Sequence, residues 1–288
     1  MPTHPLLPTS PRPFLKWAGG KSQLLPQYIP YFPKHYETYY EPFLGGGAVF
    51  FHLQPSEAVL TDVNPELVNV YRCVRDHVEQ LISRLAEHQQ RHSHDYYYQI
   101  RASTTVGELD SDIAETCTEG LLVEKAARLI YLNKTCFNGL YRENSKGEFN
   151  VPIGKYQNPR ICHPDILRSA SVVLQTTRIE VSSFETVAKR AKSQDFVYFD
   201  PPYYPLSPTS SFTAYSRYSF NKQDQVRLRH TFAELAERGV KVMLSNSDCS
   251  FIRELYSTFK IHGISASRAI NADAKRRGKI SEVLVTSF

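Results

Sequence analysis

Phe196-Val197-Tyr198-Phe199-Asp200-Pro201-Pro202-Tyr203 is an apolar run closed by an acid, two prolines and an aromatic ring. The run reads as a buried strand that ends abruptly. Neither proline can continue a central ladder, so the backbone must leave the sheet at Pro201. In open α/β sheets, ligands bind at the carboxyl ends of the strands. This strand delivers a carboxylate, free carbonyls and a ring to that edge. Together they suit a planar base carrying an exocyclic amino group.

On both sides of the run, strands and helices alternate. Residues 37–43 and Ala58–Asp62 read as strands separated by a helix that begins near Ala48, and 67–74 reads as a helix. Between 76 and 168 the pattern changes to amphipathic helices (78–90, 97–101 and 124–135) among polar loops, without a parallel-sheet strand. Alternation then resumes with strands at 171–174 and 179–181, a helix from Phe184, and the strand ending at Asp200. A helix at Lys222–Glu237, a strand at 241–245, a short helix at 251–256 and a closing strand at 282–288 follow. The expected fold class is α/β, an open, mostly parallel, Rossmann-like sheet with an inserted, mostly helical domain. The sheet domain takes 14–75 and 169–288, the insert 76–168, and a flexible proline-rich tail 1–13.

Bulk composition narrows the class. The 288 residues are 41% hydrophobic and 22% charged, with no apolar stretch long enough to span a membrane. The proline-rich start has no basic segment followed by an apolar core, so no secretory signal is expected. The five cysteines are scattered and contain no C-x-x-C pair, which points to reduced thiols in the cytoplasm and not to zinc or a disulfide frame. His88, His92 and His94 sit among Gln and Ser without a supporting acid, so no metal is expected. Tyr96-Tyr97-Tyr98 reads as packing within the insert. A net charge of +5 permits a polyanionic partner.

Two glycine-rich segments invite nucleotide readings, and both depart from phosphate loops. Trp17-Ala18-Gly19-Gly20-Lys21-Ser22 ends like a Walker loop, but its leading glycine would fall at Leu15. Glu41-Pro42-Phe43-Leu44-Gly45-Gly46-Gly47 follows a strand and opens a helix, yet the third glycine of a dinucleotide fingerprint would fall at Phe50. What remains is a tight glycine turn over which a ligand can lie on bare backbone. Asp62 ends the next strand, where a carboxylate can accept from both hydroxyls of a ribose. A nucleoside without a pyrophosphate fits better than NAD, and S-adenosylmethionine is such a nucleoside.

The segments 14–21, 41–47, Asp62-Val63-Asn64 and Asp200-Pro201-Pro202-Tyr203, in this order, resemble the motifs of Dam-type (D12 class, alpha group) DNA adenine-N6 methyltransferases that act on GATC. Asn138-Gly139-Leu140-Tyr141-Arg142 and 147–152 resemble the segment with which such enzymes read DNA. The likeness runs from Phe14 to Phe288. It implies an S-adenosylmethionine-dependent methyltransferase sheet, with 76–168 as the target-recognition domain. It further implies that Trp17, Lys21, Phe43, Gly45, Asp62, Ser183, Phe184 and Asp200 border the cofactor. Trp17 can cover it with an aromatic face, and Lys21 can pair with its carboxylate as a point charge. Asp200, Pro201, Pro202 and Tyr203 become the catalytic group.

The resemblance assigns DNA contacts to Lys16, Leu140, Arg142, Pro152 and Lys155. Arg142 has the fork to read a guanine edge, and Leu140 and Pro152 can meet a thymine methyl. Phe137 stands where relatives carry an aromatic wedge, with Phe here in place of the frequent Tyr. Lys275, Arg276 and Lys279 form a basic stretch before the last strand, read either as a solvated hairpin tip or as a phosphate contact. The expected partner is double-stranded DNA, approached by a monomer in the cytoplasm, at the nucleoid. Rival readings are a cytosine-N4 methyltransferase, which needs the same acceptors, and a DNA-binding protein that keeps the fold without catalysis. A protein glutamine methyltransferase would carry Asn in place of Asp200.

Overall fold

The computed structural model describes residues 9–103, 118–144, 146–206, 220–267 and 279–288. In chain order the strands are β1 (Tyr39–Glu41), β2 (Ala58–Asp62), β3 (Thr177–Val181), β4 (Phe196–Phe199), β5 (Lys241–Ser247), β6 (Lys260–Ser267) and β7 (Lys279–Thr286). The helices are α1 (Leu25–Tyr28), α2 (Ala48–Leu53), α3 (Pro65–Asp76), α4 (Val78–Arg91), α5 (His94–Ala102), α6 (Glu119–Thr135), α7 (Pro164–Leu174), α8 (Lys222–Glu237) and α9 (Ser250–Leu255).

The seven strands lie in the order β3-β2-β1-β4-β5-β7-β6. Neighbours from β3 to β5 pair in parallel, and β7 runs antiparallel to both β5 and β6. The mixed α/β sheet with helical segments between its halves matches the open, Rossmann-like fold expected. Strand order reverses between β1 and β4, where Tyr39 faces Phe196 and Tyr40 faces Val197. Crossovers from β1 and from β4 diverge there and leave a crevice above the carboxyl ends. The glycine turn after β1 and the Asp-Pro-Pro-Tyr loop after β4 are its two lips.

The local sequence explains the elements that carry these lips. All four residues of β4 are buried, as expected of a strand covered on both faces. Its alternate side chains divide between two cores. Phe196 and Tyr198 join Tyr28, Phe50, Tyr71 and the helices α3, α4, α6 and α7, in one cluster that continues into the helical stretch after α3. Val197 and Phe199 join Leu228, Phe232 and Leu235 of α8, with Val187, Ile252 and Tyr256. Asn64 caps α3 by accepting from the Glu66 and Leu67 amides at 3.0 and 3.2 Å. Asn221 and Asp224 cap α8 reciprocally.

Three expectations need correction. Residues 171–174 are the last turns of α7 and not a strand. Ile166, Leu167, Ala170, Val173 and Leu174 are all buried, so the short apolar run completes a helical stripe. Strand β6 was not anticipated, because Gly263 and His262 interrupt its pattern and it pairs only with β7 at the sheet edge. The segment after Ser183 is a 3₁₀ helix of six residues, Phe184–Lys189. At the start of the described chain, Thr9 Oγ1 lies 3.4 Å from the Asp165 carbonyl and 3.2 Å from Ser169 Oγ. Residues 1–8, Lys275 and Arg276 fall outside the described residues, and of Lys279 only the backbone is described, in β7.

Candidate active site

Where β4 ends, Asp200 turns its carboxylate toward β5 and toward the segment that follows Gly20. Its Oδ1 accepts from Ser245 Oγ at 2.7 Å and pairs with Lys21 Nζ at 2.7 Å. Ser245 is fixed in turn by Tyr198, whose hydroxyl is 2.9 Å from Ser245 Oγ. The Lys21 side chain is only 3% exposed. Its ammonium also donates to the Gly19 carbonyl and lies 4.8 Å from the centre of the Tyr203 ring. The structure therefore brings Lys21, Asp200 and Tyr203 into one constellation, with Lys21 on the Asp200 carboxylate. Tyr203 donates its hydroxyl to Glu282 Oε2 on β7 at 2.7 Å, and burial pushes the Glu282 carboxyl up. The Pro202 carbonyl accepts from Gln225 Nε2 at 2.9 Å, whereas the Pro201 carbonyl accepts from no described residue.

Across the crevice, the glycine turn is tight because nothing larger fits. Gly45 has φ +47°, and a Cβ there would sit 2.9 Å from Trp17 Cδ1. The Gly45 amide donates to Asp62 Oδ2 at 3.2 Å, and the Asn64 amide to Oδ1 at 3.0 Å. Burial pushes the Asp62 carboxyl up to about 6, against the pull of those amides. Tyr71 donates to the Gly45 carbonyl at 3.1 Å, so the underside of the turn is also braced. Glu41, at the end of β1, is buried and accepts from the Tyr39 hydroxyl and the Phe50 amide. Burial moves its carboxyl up to about 8.

An aromatic wall stands beside this turn. Phe43 and Phe184 stack with centroids 5.5 Å apart, and Phe220 meets both edge-on at 5.6 and 5.9 Å. Ser183 precedes Phe184 and donates its hydroxyl to Glu185, while the neighbouring Ser182 amide holds the Asp62 carbonyl at 3.0 Å. The residues expected to border the cofactor, Trp17, Phe43, Gly45, Asp62, Ser183 and Phe184, thus gather at the ends of β1, β2 and β3. The turn, the carboxylate and the flat apolar wall fit a nucleoside.

The residues expected to meet DNA lie on the loop after α6 and on the irregular segment before α1. Asn133 bonds Lys16 at both amide and carbonyl, at 2.9 and 2.7 Å, and bonds the Gly139 carbonyl at 3.0 Å. Lys16 Nζ then reaches the Tyr156 hydroxyl at 3.1 Å. Phe137 is 48% exposed, and its amide donates to the Pro152 carbonyl at 2.9 Å. Arg142 is exposed, with Nε on Asn150 Oδ1 at 2.7 Å. Lys155 is exposed and Leu140 half-buried. Trp17 stacks on Tyr141 at 5.5 Å and 26°, which joins this loop to the glycine turn.

Several neighbours escaped the sequence reading. Ser245, Asn246 and Ser247 end β5 as a polar tail on an apolar strand, the same signal that marked Asp200. Phe220, Gln225 and Glu282 carry no signal of their own, and Tyr141 stands inside a motif without a role assigned to it. The tyrosine triplet packs as expected at Tyr96 and Tyr97, whose hydroxyls meet His88 Nδ1 and the Val151 carbonyl, each at 2.8 Å. Among the described residues, no group of three or more His, Cys, Asp or Glu side chains could hold a metal ion, and no helix is long and apolar enough to cross a membrane.

Residues 17–270 match the family described as D12 class N6 adenine-specific DNA methyltransferase. A type II methyltransferase of Lactococcus lactis subsp. cremoris is 48% identical over 279 residues, covering 96% of this chain and 95% of that protein. A type II methyltransferase of Methanocaldococcus jannaschii is 40% identical over 96% of this chain and 99% of its own length. The DNA adenine methylase of Escherichia coli K12 is 34% identical over 95% of this chain and 94% of its own length.

Proposed function

The chain belongs to the D12 class of S-adenosylmethionine-dependent, N6 adenine-specific DNA methyltransferases, and from that premise we propose that it methylates the adenine of GATC in duplex DNA. Bound S-adenosylmethionine supplies an electrophilic sulfonium methyl. The glycine turn at Gly45, with Asp62 on the ribose hydroxyls and the Phe43–Phe184 wall beside the adenine, is the cradle for it. Trp17 covers the methionine half, and Lys21 stands between Asp200 and the cofactor carboxylate.

The amino nitrogen of adenine is a weak nucleophile because its lone pair is delocalised into the ring. The Asp200 carboxylate and the Pro201 carbonyl accept its two hydrogens, which draws the nitrogen toward pyramidal geometry and frees the lone pair. Fixed acceptors aimed at the developing charge are the main contribution of the protein, together with positioning. No strong base is needed beforehand, since the proton becomes acidic once the nitrogen is alkylated. Tyr203 stacks on the base, which must leave the duplex to reach this crevice. The observation that carries the reading is the Asp200 carboxylate, held by Ser245 and Lys21 at the switch point, next to a Pro201 carbonyl that accepts from no described residue. A cytosine amino group would offer the same geometry, but the match over residues 17–270 is to the adenine-specific class.

The assignment of GATC rests on the likeness of 138–142 and 147–152 to the reading segment of GATC enzymes. Arg142 supports it physically, because Asn150 takes the Nε side of the guanidinium and leaves its outer edge for a guanine. Residues 76–168 act as the recognition domain on the sheet domain of 14–75 and 169–288. Phe137 fills the gap left by the flipped base, Lys16, Leu140, Pro152 and Lys155 line the groove, and Lys275, Arg276 and Lys279 meet phosphates. We take the enzyme to work as a monomer at the nucleoid, and the two type II relatives favour a place in a restriction-modification pair. Transfer of labelled methyl to duplexes containing GATC, GTTC or N6-methylated GATC tests the proposal. Label is expected on the first alone; equal labelling of GATC and GTTC would remove the GATC assignment.

A further inference from the structure

The loop that carries the chemistry is poorly equipped to hold itself. Pro201 and Pro202 have no amide hydrogens, so the loop must be fixed largely by donors and acceptors from elsewhere. Two buried side-chain amides supply them. Gln225, 1% exposed on the first turns of α8, donates Nε2 to the Pro202 carbonyl at 2.9 Å. Asn246, fully buried near the end of β5, donates Nδ2 to Gln225 Oε1 at 3.0 Å. Asn246 Oδ1 accepts from the Tyr204 amide at 3.1 Å and the Ser247 amide at 2.8 Å, which fixes which end of the amide points where. Ser247 Oγ closes the set on the Tyr204 carbonyl at 2.6 Å.

The Pro201 carbonyl lies between two anchored points. On one side Asp200 is held by Ser245, and on the other the Pro202 carbonyl is held by Gln225. With both proline φ angles locked by their rings, the peptide plane between them has little freedom left. We infer that Gln225 and Asn246 are positioning residues that set the direction of the Pro201 carbonyl relative to the Asp200 carboxylate. They act through the Pro202 carbonyl and the Tyr204 amide, and the inference rests on the catalytic reading of Asp200 and Pro201. Misplacement of a reacting contact by about 1 Å costs rate on the order of a hundredfold, with little effect on binding.

The test is single-turnover methyl transfer at saturating S-adenosylmethionine and DNA, for the parent, Asp200→Ala, Gln225→Met, Gln225→Glu, Asn246→Ala and the Gln225→Met/Asn246→Ala double variant. Gln225→Met removes both contacts and is expected to slow transfer about 10- to 100-fold, with affinities for S-adenosylmethionine and DNA within about threefold of the parent. The double variant is expected to be no more than about threefold slower than the slower single, because the two amides act as a unit. Gln225→Glu keeps the acceptor for Asn246 and can donate to the Pro202 carbonyl only when protonated. A carboxyl buried there has a raised pKa, so its rate relative to the parent is expected to rise about fivefold or more as pH falls from about 8 to about 6. A merely structural role would not produce that profile. A flat ratio across that range overturns the inference, also where Gln225→Met fails to fold. Equal losses of rate and of both affinities overturn it as well. An Asp200→Ala as fast as the parent would instead remove the catalytic reading beneath it.

Discussion

The crevice at the switch point and the loop between Phe137 and Tyr156, to which we assign two parts of one reaction, have opposite kinds of order. In the crevice the side chains are held before any ligand arrives: Asp200 by Ser245 and Lys21, Asp62 by two amides, Tyr203 by Glu282. On the loop the backbone is held, through Asn133 and the Phe137–Pro152 bond, while the side chains of Phe137, Arg142 and Lys155 are exposed, Arg142 with a bond to Asn150. The difference follows from the two tasks. Electrostatic stabilisation is effective when the groups need no reorganisation at the moment of reaction. Reading a base edge requires side chains that are free to enter a groove, and the ordering cost is met on binding.

The comparison breaks most readily at Asp200. Asp200→Ala is expected to reduce single-turnover methyl transfer about a hundredfold to a thousandfold at saturating S-adenosylmethionine, while DNA affinity measured by fluorescence anisotropy stays near the parent value. A rate within tenfold of the parent would show that the held carboxylate is not part of the chemistry.

A smaller effect, on binding, is expected at Asp62. Asp62→Ala should weaken S-adenosylmethionine by about 1.5–3 kcal/mol, read by calorimetric titration. The carboxyl sits near 6 in the free protein, and its ionised form is the one that accepts from the ribose hydroxyls. Cofactor affinity should therefore fall as pH drops through about 6 and level off above about 7. The same titration in Asp62→Asn should be flat there. An identical pH curve in that variant would assign the dependence to another group.

The smallest loss belongs to the loop and sharpens the contrast. Arg142→Ala should cost about 1–3 kcal/mol and relax selection at one base pair, seen as methylation of a site library. Uniform loss on every site, with selection unchanged, would make Arg142 a held positioning group like those of the crevice.

Much of the crevice was legible because its parts announce themselves over short distances. An apolar strand that stops at Asp-Pro-Pro, glycines after β1 and an acid after β2 are local signals, and each sits where the switch point needs it. Helix α8 was read with its observed bounds, since Asn221 and Asp224 form a local cap. What stayed hidden depends on strand order. Gln225 and Asn246 meet Pro202 and Tyr204 only because β5 lies beside β4. Lys21 was read as a partner for the cofactor carboxylate, and its bond to Asp200 joins positions far apart in the chain. Strand β6 was missed because an edge strand needs only one partner and a weak pattern. Residues 171–174 misled because a four-residue apolar run suits a buried strand as well as a helix end.

Trp17 belongs to both regions at once. The indole edge closes on Gly45, and its face lies on Tyr141, the residue just before Arg142. Mechanically, the indole is a rigid plate shared by the turn and the loop. A displacement of the ring is therefore felt in both regions at once.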